Sequence, residues 1–134
     1  MIARTKNQKD ILREGGRRLA KVLQTVAKSV RAGVSTKDLD DIAYNIITEF
    51  GDKSAFLHYQ PDGAKFPYPA TLCVSINDEV VHGIPSVNRI LKNGDIVSLD
   101  CGLKHDGLFT DHAITVIVGG KGKKEDMELL EVTQ

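Results

Sequence analysis

Two aspartates, Asp100 and Asp111, lie with ten residues between them on what reads as the two arms of one β-hairpin. The first arm is Asp95-Ile96-Val97-Ser98-Leu99-Asp100-Cys101-Gly102-Leu103, the turn signal is His105-Asp106-Gly107, and the return arm runs over 108–118. Asp-Gly between β-rich runs is a strong short-range hairpin signal. A loop of Asp106-Gly107 alone pairs Asp111 with Gly102 and leaves it diagonal to Asp100 on the same face. A four-residue loop over 104–107 sets the two acids directly opposite. Either even-length loop converges them, because strand side chains alternate with period two. A three-residue loop would part them unless a bulge restored the register. Like charges facing each other across a ladder destabilise it unless something positive lies between. Carboxylate oxygens are good ligands for hard and borderline divalent cations. The pattern therefore predicts a metal site, with both acids able to bridge two ions. The plainer alternative is that both point to solvent. Asp100 tilts the balance, since it follows an apolar-looking run and a buried acid needs a partner.

Upstream, Val80-Val81-His82-Gly83-Ile84-Pro85 places a histidine at the end of an apolar run, before a Gly and Pro turn. Taken alone, His82 is a satisfied structural histidine more often than a catalytic one. Its context carries a resemblance. Cys73-Val74-Ser75-Ile76-Asn77-Asp78-Glu79-Val80-Val81-His82-Gly83-Ile84-Pro85 resembles the central motif of type I methionine aminopeptidases. Gly94-Asp95-Ile96-Val97-Ser98-Leu99-Asp100, followed after ten residues by Asp111, is similar to that family's first two metal ligands. Val30-Arg31-Ala32-Gly33-Val34-Ser35-Thr36-Lys37-Asp38-Leu39-Asp40 resembles the link between its first two helices. The likeness runs from about Ile11 to Gln134, with the motifs in order and correctly spaced.

The resemblance implies the first half of a pita-bread fold, and two divalent metal ions among which Co, Mn, Fe and Zn are not distinguished. It implies Asp100 and Asp111 as metal ligands, and His82 as a catalytic group that touches substrate and steadies the tetrahedral intermediate. Tyr68 and Cys73 match positions lining a methionine side-chain pocket, and a soft thiol beside an aromatic edge suits a thioether. Without the family, Cys73 reads as core packing. Phe66 falls at a nearby position where the family varies. The implied activity is metal-dependent removal of the N-terminal methionine from nascent proteins. The alternative is a non-catalytic pita-bread relative acting as a binding module, although such a module has no chemical need for His82, Asp100 and Asp111 together.

In that family a second half supplies a histidine and two glutamates. This chain stops at Gln134, inside what reads as the first helix of such a half. No substitute ligands stand out: His112 neighbours Asp111 and points to the opposite face, His105 lies in the turn, and His58 lies in an irregular region. Glu125, Asp126, Glu128 and Glu131 sit on a helix with solvent-like patterning. The expectation is a single domain over 1–134 that is the N-terminal half of a catalytic domain, inactive alone. It needs a C-terminal half or pairs with itself, because apolar side chains around Ile96, Leu99, Ile114 and Val116 would lose part of their cover.

The elements that must position these groups follow from periodicity. A helix over 8–30 buries Leu12, Leu19, Val22, Leu23, Val26 and Val30, and Gly33 ends it. A second is capped by Ser35 or Thr36, carries Asp38 in its first turn, and stops at Gly51. Its stripe is Leu39, Ile42, Ala43, Ile46, Ile47 and Phe50. An irregular loop over 52–69 precedes strands at about 71–77, 79–82, 95–103 and 107–118, and 119–124 is a polar connector. The fold class is α/β (α+β), two helices packed on one face of a curved antiparallel sheet. A length of 134 residues and 41% hydrophobic content suit one packed domain. No stretch approaches a membrane span, and no leader is visible. Two cysteines make no disulfide framework and suggest a reducing, cytoplasmic compartment. The net charge of zero hides nine Lys or Arg against Asp10 and Glu14 within residues 1–31. Arg13, Arg17 and Lys21 follow one helix face, which is either simply solvated or an electrostatic footprint near the ribosome.

Overall fold

A computed structural model describes residues 2–133; Met1 and Gln134, the ends of the expected 1–134 domain, lie outside the described residues. Helix α1 (Lys6–Ser29) begins at a capping box in which the Thr5 hydroxyl accepts from the Gln8 backbone N–H. The Gln8 side chain reaches back to the Thr5 N–H. Such a box satisfies two of the orphan donors at a helix start. The helix stops at the Val30 cap, earlier than Gly33. Gly33, at φ +88°, instead turns the chain toward the next helix. Helix α2 (Thr36–Glu49) is capped by Ser35 in a box with Asp38, and Gly51 follows its C-cap at φ +71°. Ser35, not Thr36, is the cap; the Thr36 hydroxyl exchanges hydrogen bonds with the Ser86 backbone.

The strands are β1 (Lys53–Ser54), β2 (Leu72–Ile76), β3 (Ile96–His105) and β4 (Leu108–Ile117), all antiparallel to β3 where they meet it. Along one edge β3 pairs with β2 and then β1; its other edge is taken by β4 over its full length. A short 3₁₀ turn over Val118–Gly120 leads to helix α3 (Lys124–Thr133), which buries no residue.

Helices α1 and α2 cover one face of this sheet. Leu19, Val22, Leu23 and Val26 from the first and Leu39, Ala43 and Ile47 from the second join Leu72, Val74, Val97, Leu99, Cys101 and Leu103 in one core. Each such side chain withdrawn from water contributes about 1.5–3 kcal/mol. The period of two fixes what lies on the other face: Ile96, Ser98, Asp100 and Gly102 on β3.

Three expectations require correction. Residues 79–82 form no strand, because Asn77 at φ +56° and a Glu79 N–H to Ile76 carbonyl bond turn the chain away. The loop over 52–69 contains the two-residue strand β1. Leu99 is not among the partly uncovered side chains expected, whereas Ile114 and Val116 are only half-buried. Leu99 pairs with Ile114 and Val97 with Val116, so these residues point at the helices, and Leu99 is wholly buried. On the opposite face Ile96 pairs with Ile117, and the Ser98 and Thr115 hydroxyls bond each other at 2.9 Å.

Candidate active site

The hairpin selects one of the registers that the sequence leaves open. His105 pairs with Leu108 across a loop of Asp106 and Gly107, so Asp111 pairs with Gly102 and Asp100 with Ala113. Asp106 and Gly107 both have positive φ, as a two-residue hairpin turn of this kind requires. The two carboxylates are therefore diagonal neighbours on the face away from the helices.

Asp100 is held at a cost. Its Oδ1 is buried and has no hydrogen-bond partner. Burial, and after it the charge of Asp111, push its pKa above the usual carboxylate range, while His82 acts in the opposite direction. An orphaned buried oxygen beside a second acid is the environment a divalent cation would relieve. The donor set present here thus fits such an ion.

Cys73 lies directly across the ladder from Asp100, on the edge of β3 opposite to β4. His82 completes the group: its Nδ1 is 3.9 Å from Cys73 Sγ, and one donor atom from each of Cys73, His82 and Asp100 lies within 4.8 Å of the other two. His82 itself is exposed and sits in the left-handed region at φ +58°. Its loop is tied down on both sides. The Val74 N–H donates to the Gly83 carbonyl at 2.8 Å, and the Gly83 N–H donates to Ser75 Oγ at 3.2 Å. Glu79 accepts from the Ile76 N–H and pairs with Arg89, whose guanidinium also donates to the Ile84 carbonyl. At the other end of β2, the buried Asp40 accepts from the Thr71 and Leu72 N–H groups at 2.8 and 3.0 Å. Cys73 is thereby fixed from both directions.

Beside this group opens a cavity of about 770 Å³ lined by Tyr68, Cys73, His82, Phe56, Tyr59 and Ile84, among others. The Tyr68 hydroxyl donates toward the Leu72 and Gly83 carbonyls, and its ring meets Phe56 edge-on at 6.4 Å. Burial raises the pKa of both Tyr68 and the Cys73 thiol. Phe66 also lines the cavity but is 72% exposed, a rim position.

Asp100, Cys73 and His82 thus converge, Asp111 flanks Asp100, and Tyr68 walls the cavity. His105 is elsewhere, its Nδ1 2.7 Å from Asp52, while His58 and His112 are exposed and, among the described residues, join no such cluster. Sequence reasoning passed over Phe56, Tyr59 and Ile84, which lie where no periodicity marks one face. It also passed over Glu79 and Arg89, which brace the loop through each other and through nearby backbone, and Asp40, whose backbone partners lie some thirty residues on.

Known proteins resemble this chain in sequence and in fold. The chain is 49% identical over 123 residues to a methionine aminopeptidase of Aquifex aeolicus, covering 92% of this chain and 47% of that protein. It is 40% identical to methionine aminopeptidase 1 of Bacillus subtilis, covering 100% of this chain and 51% of that one. The crystal structure of methionine aminopeptidase from Thermotoga maritima superposes with a TM-score of 0.90 at 33% identity, over 99% of this chain and 51% of that one. The chain spans about half the length of these relatives. The match to metallopeptidase family M24 extends over residues 10–134, taking in both aspartates, the His82 loop and the cavity wall, so the chain belongs to that family and shares its use of divalent metal.

Proposed function

We propose that this chain supplies the first half of the active site of a methionine aminopeptidase, acting on the N-terminal methionine of nascent peptides. The observation that carries this reading is the pair Asp100 and Asp111 on one sheet face, beside an apolar cavity walled by Tyr68, Cys73 and His82. Asp100 and Asp111 would hold two divalent ions. The all-oxygen pair alone does not discriminate Co, Mn, Fe and Zn. When bound, the metal supplies Lewis acidity and an acidified water. The chain's own residues do the rest. Tyr68 and Cys73 receive the methionine side chain, with Phe66 at the rim, and the apolar walls exclude water from it. His82, held on its braced loop, offers an imidazole to the substrate where charge builds during attack.

Two carboxylates leave a borderline metal short of ligands, so further donors come from a C-terminal half or a second copy of the chain. Cys73 and Cys101 are free thiols on opposite sheet faces and cannot pair with each other, which supports a reducing, cytoplasmic setting. No helix among the described residues is long and apolar enough to cross a membrane. Proximity to the ribosome would rest on the basic face of α1, though Arg13 and Arg17 are paired with Asp10 and Glu14 and, of that row, only Lys21 has no acidic partner among the described residues. The test is a titration of Mn²⁺, a harder ion suited to a carboxylate pair, into the chain, with a Met-Ala-Ser peptide added. We expect weak metal binding that Asp111→Asn reduces at least tenfold, and no methionine release by the chain alone. Chelator-sensitive release by the purified chain would show that no outside half is needed. Metal binding indifferent to Asp100→Asn and Asp111→Asn would overturn the reading.

A further inference from the structure

We propose that Cys73, His82 and Asp100 form a second binding site, adjoining the aspartate pair and sharing Asp100 with it, for a thiophilic divalent ion such as zinc, set in the wall of the cavity. The ligand set differs from the aspartate pair in chemistry as well as place. It offers one sulfur, one nitrogen and one oxygen, the mixture that zinc accepts in four-coordinate sites, whereas two carboxylates suit harder ions. With bond lengths of about 2.0–2.3 Å, tetrahedral zinc separates its donors by roughly 3.3–3.7 Å. The Cys73 Sγ to His82 Nδ1 distance is 3.9 Å, and all three donors fall within 4.8 Å of one another. The Cys73–His82 pair needs a few tenths of an ångström and a donor pair at the 4.8 Å limit about 1 Å, movements that side-chain rotation supplies, most freely at the exposed His82.

Two of the ligands are on rigid supports. Cys73 and Asp100 are direct partners in the β2–β3 ladder, so their Cβ atoms are fixed side by side. The third rides on the loop that Glu79, Arg89 and Ser75 brace. Asp100 stands between Cys73 on β2 and Asp111 on β4, and its Oδ1 is unpartnered. A carboxylate has an oxygen for each side, so Asp100 can serve either site. Binding here forms a sulfur–metal bond and releases the Cys73 thiol proton to solvent.

The consequence rests on the reading of the cavity given above. Cys73 and His82 are both cavity walls, so an ion joined to them takes up the space a methionine side chain would enter. A thiophilic ion and the peptide should therefore exclude each other, and His82 would be withdrawn from substrate. Zinc in excess would act as an inhibitor at a place the aspartate-bound metal does not occupy.

The experiment uses the full chain with Co²⁺ as a spectroscopic stand-in for Zn²⁺. We expect thiolate-to-cobalt charge-transfer absorption at one equivalent, bleached by Zn²⁺. Cys73→Ser should abolish it, His82→Ala should weaken cobalt affinity at least tenfold, and Cys101→Ser and Asp111→Asn should retain it. Circular dichroism on each variant separates loss of the site from loss of the fold. Absence of the thiolate band in the unsubstituted chain, or its survival in Cys73→Ser, overturns the site. Cobalt binding that depends on Asp111 and not on Cys73 also overturns it, while leaving the proposed function intact. A Cys73-dependent band in a chain that binds no Met-Ala-Ser peptide upholds the ion site and counts against the cavity reading instead.

Discussion

At the scale of single residues, function and stability pull Asp100 in opposite directions. Its folded-state pKa is raised, chiefly by burial. Below the unfolded-state value, near 3.9, native and unfolded chains are both protonated and the residue is neutral to stability. As pH rises past that value the unfolded chain ionises first and stability falls; the loss is complete at the raised folded-state value and persists at all higher pH. In the metal-free chain we therefore expect Asp100→Asn to raise the urea midpoint at neutral pH and to leave it unchanged at pH 3. Gly83 gives the opposite case. A Cβ there would lie 2.1 Å from the Val74 carbonyl oxygen, so Gly83→Ala must unseat the His82 loop. It should abolish the protection of the Val74 amide in hydrogen exchange while leaving the helix core protected. The acids were legible in the sequence because residue type and spacing are all their geometry needs. The closeness of Cys73 to His82 was not, because it depends on how a non-strand segment folds back.

At the scale of elements, the hairpin was readable down to its turn, and one of the two even loops proved correct. The segment over 79–82 was misread because Val80 and Val81 favour strands locally, yet both are exposed and have no partner strand. Tertiary hydrogen bonds decide that loop. Removing one of them tests the point. Arg89→Ala should speed exchange at Val74 about tenfold, equivalent to ~1.4 kcal/mol of local opening, with little change in the global transition. The β3 strand imposes a second constraint. A Cβ at Gly102 would come within 2.7 Å of the Phe56 ring and 2.9 Å of Ala55 Cβ. Gly102→Ala should cost about 1–3 kcal/mol through overpacking and push Phe56 into the cavity, seen as weaker Met-Ala-Ser binding.

At the scale of the molecule, one buried charge network ties the layers together. Asp52, just after α2, takes Arg18 of α1 on one oxygen at 3.0 Å and His105 of the hairpin on the other at 2.7 Å. Arg18 also donates to the Phe50 carbonyl and pairs with Glu14, which the two arginines hold at a pKa of about 2. Asp52→Ala should lower the urea midpoint, by less than the loss of a fully buried pair because Arg18 is partly exposed and keeps other partners, and it should loosen the hairpin tip more than β2. No sequence pattern announces this network, whose members lie more than thirty residues apart. Among the described residues β4 pairs with β3 alone. Its outer edge is a template for another strand, so light scattering should show concentration-dependent association, reduced by a lysine at an outward position such as Thr115.

The two cysteines turn this architecture into a pair of internal clocks. Cys73 faces the cavity, and Cys101 faces the core beneath the helices one ladder step away. A small alkylating reagent should therefore label the native chain in two phases. The faster phase would report traffic through the cavity and slow when a ligand fills it. The slower would follow whole-chain opening and quicken with urea. One mass spectrum taken over time would then separate a change in site occupancy from a change in folding, without an added probe.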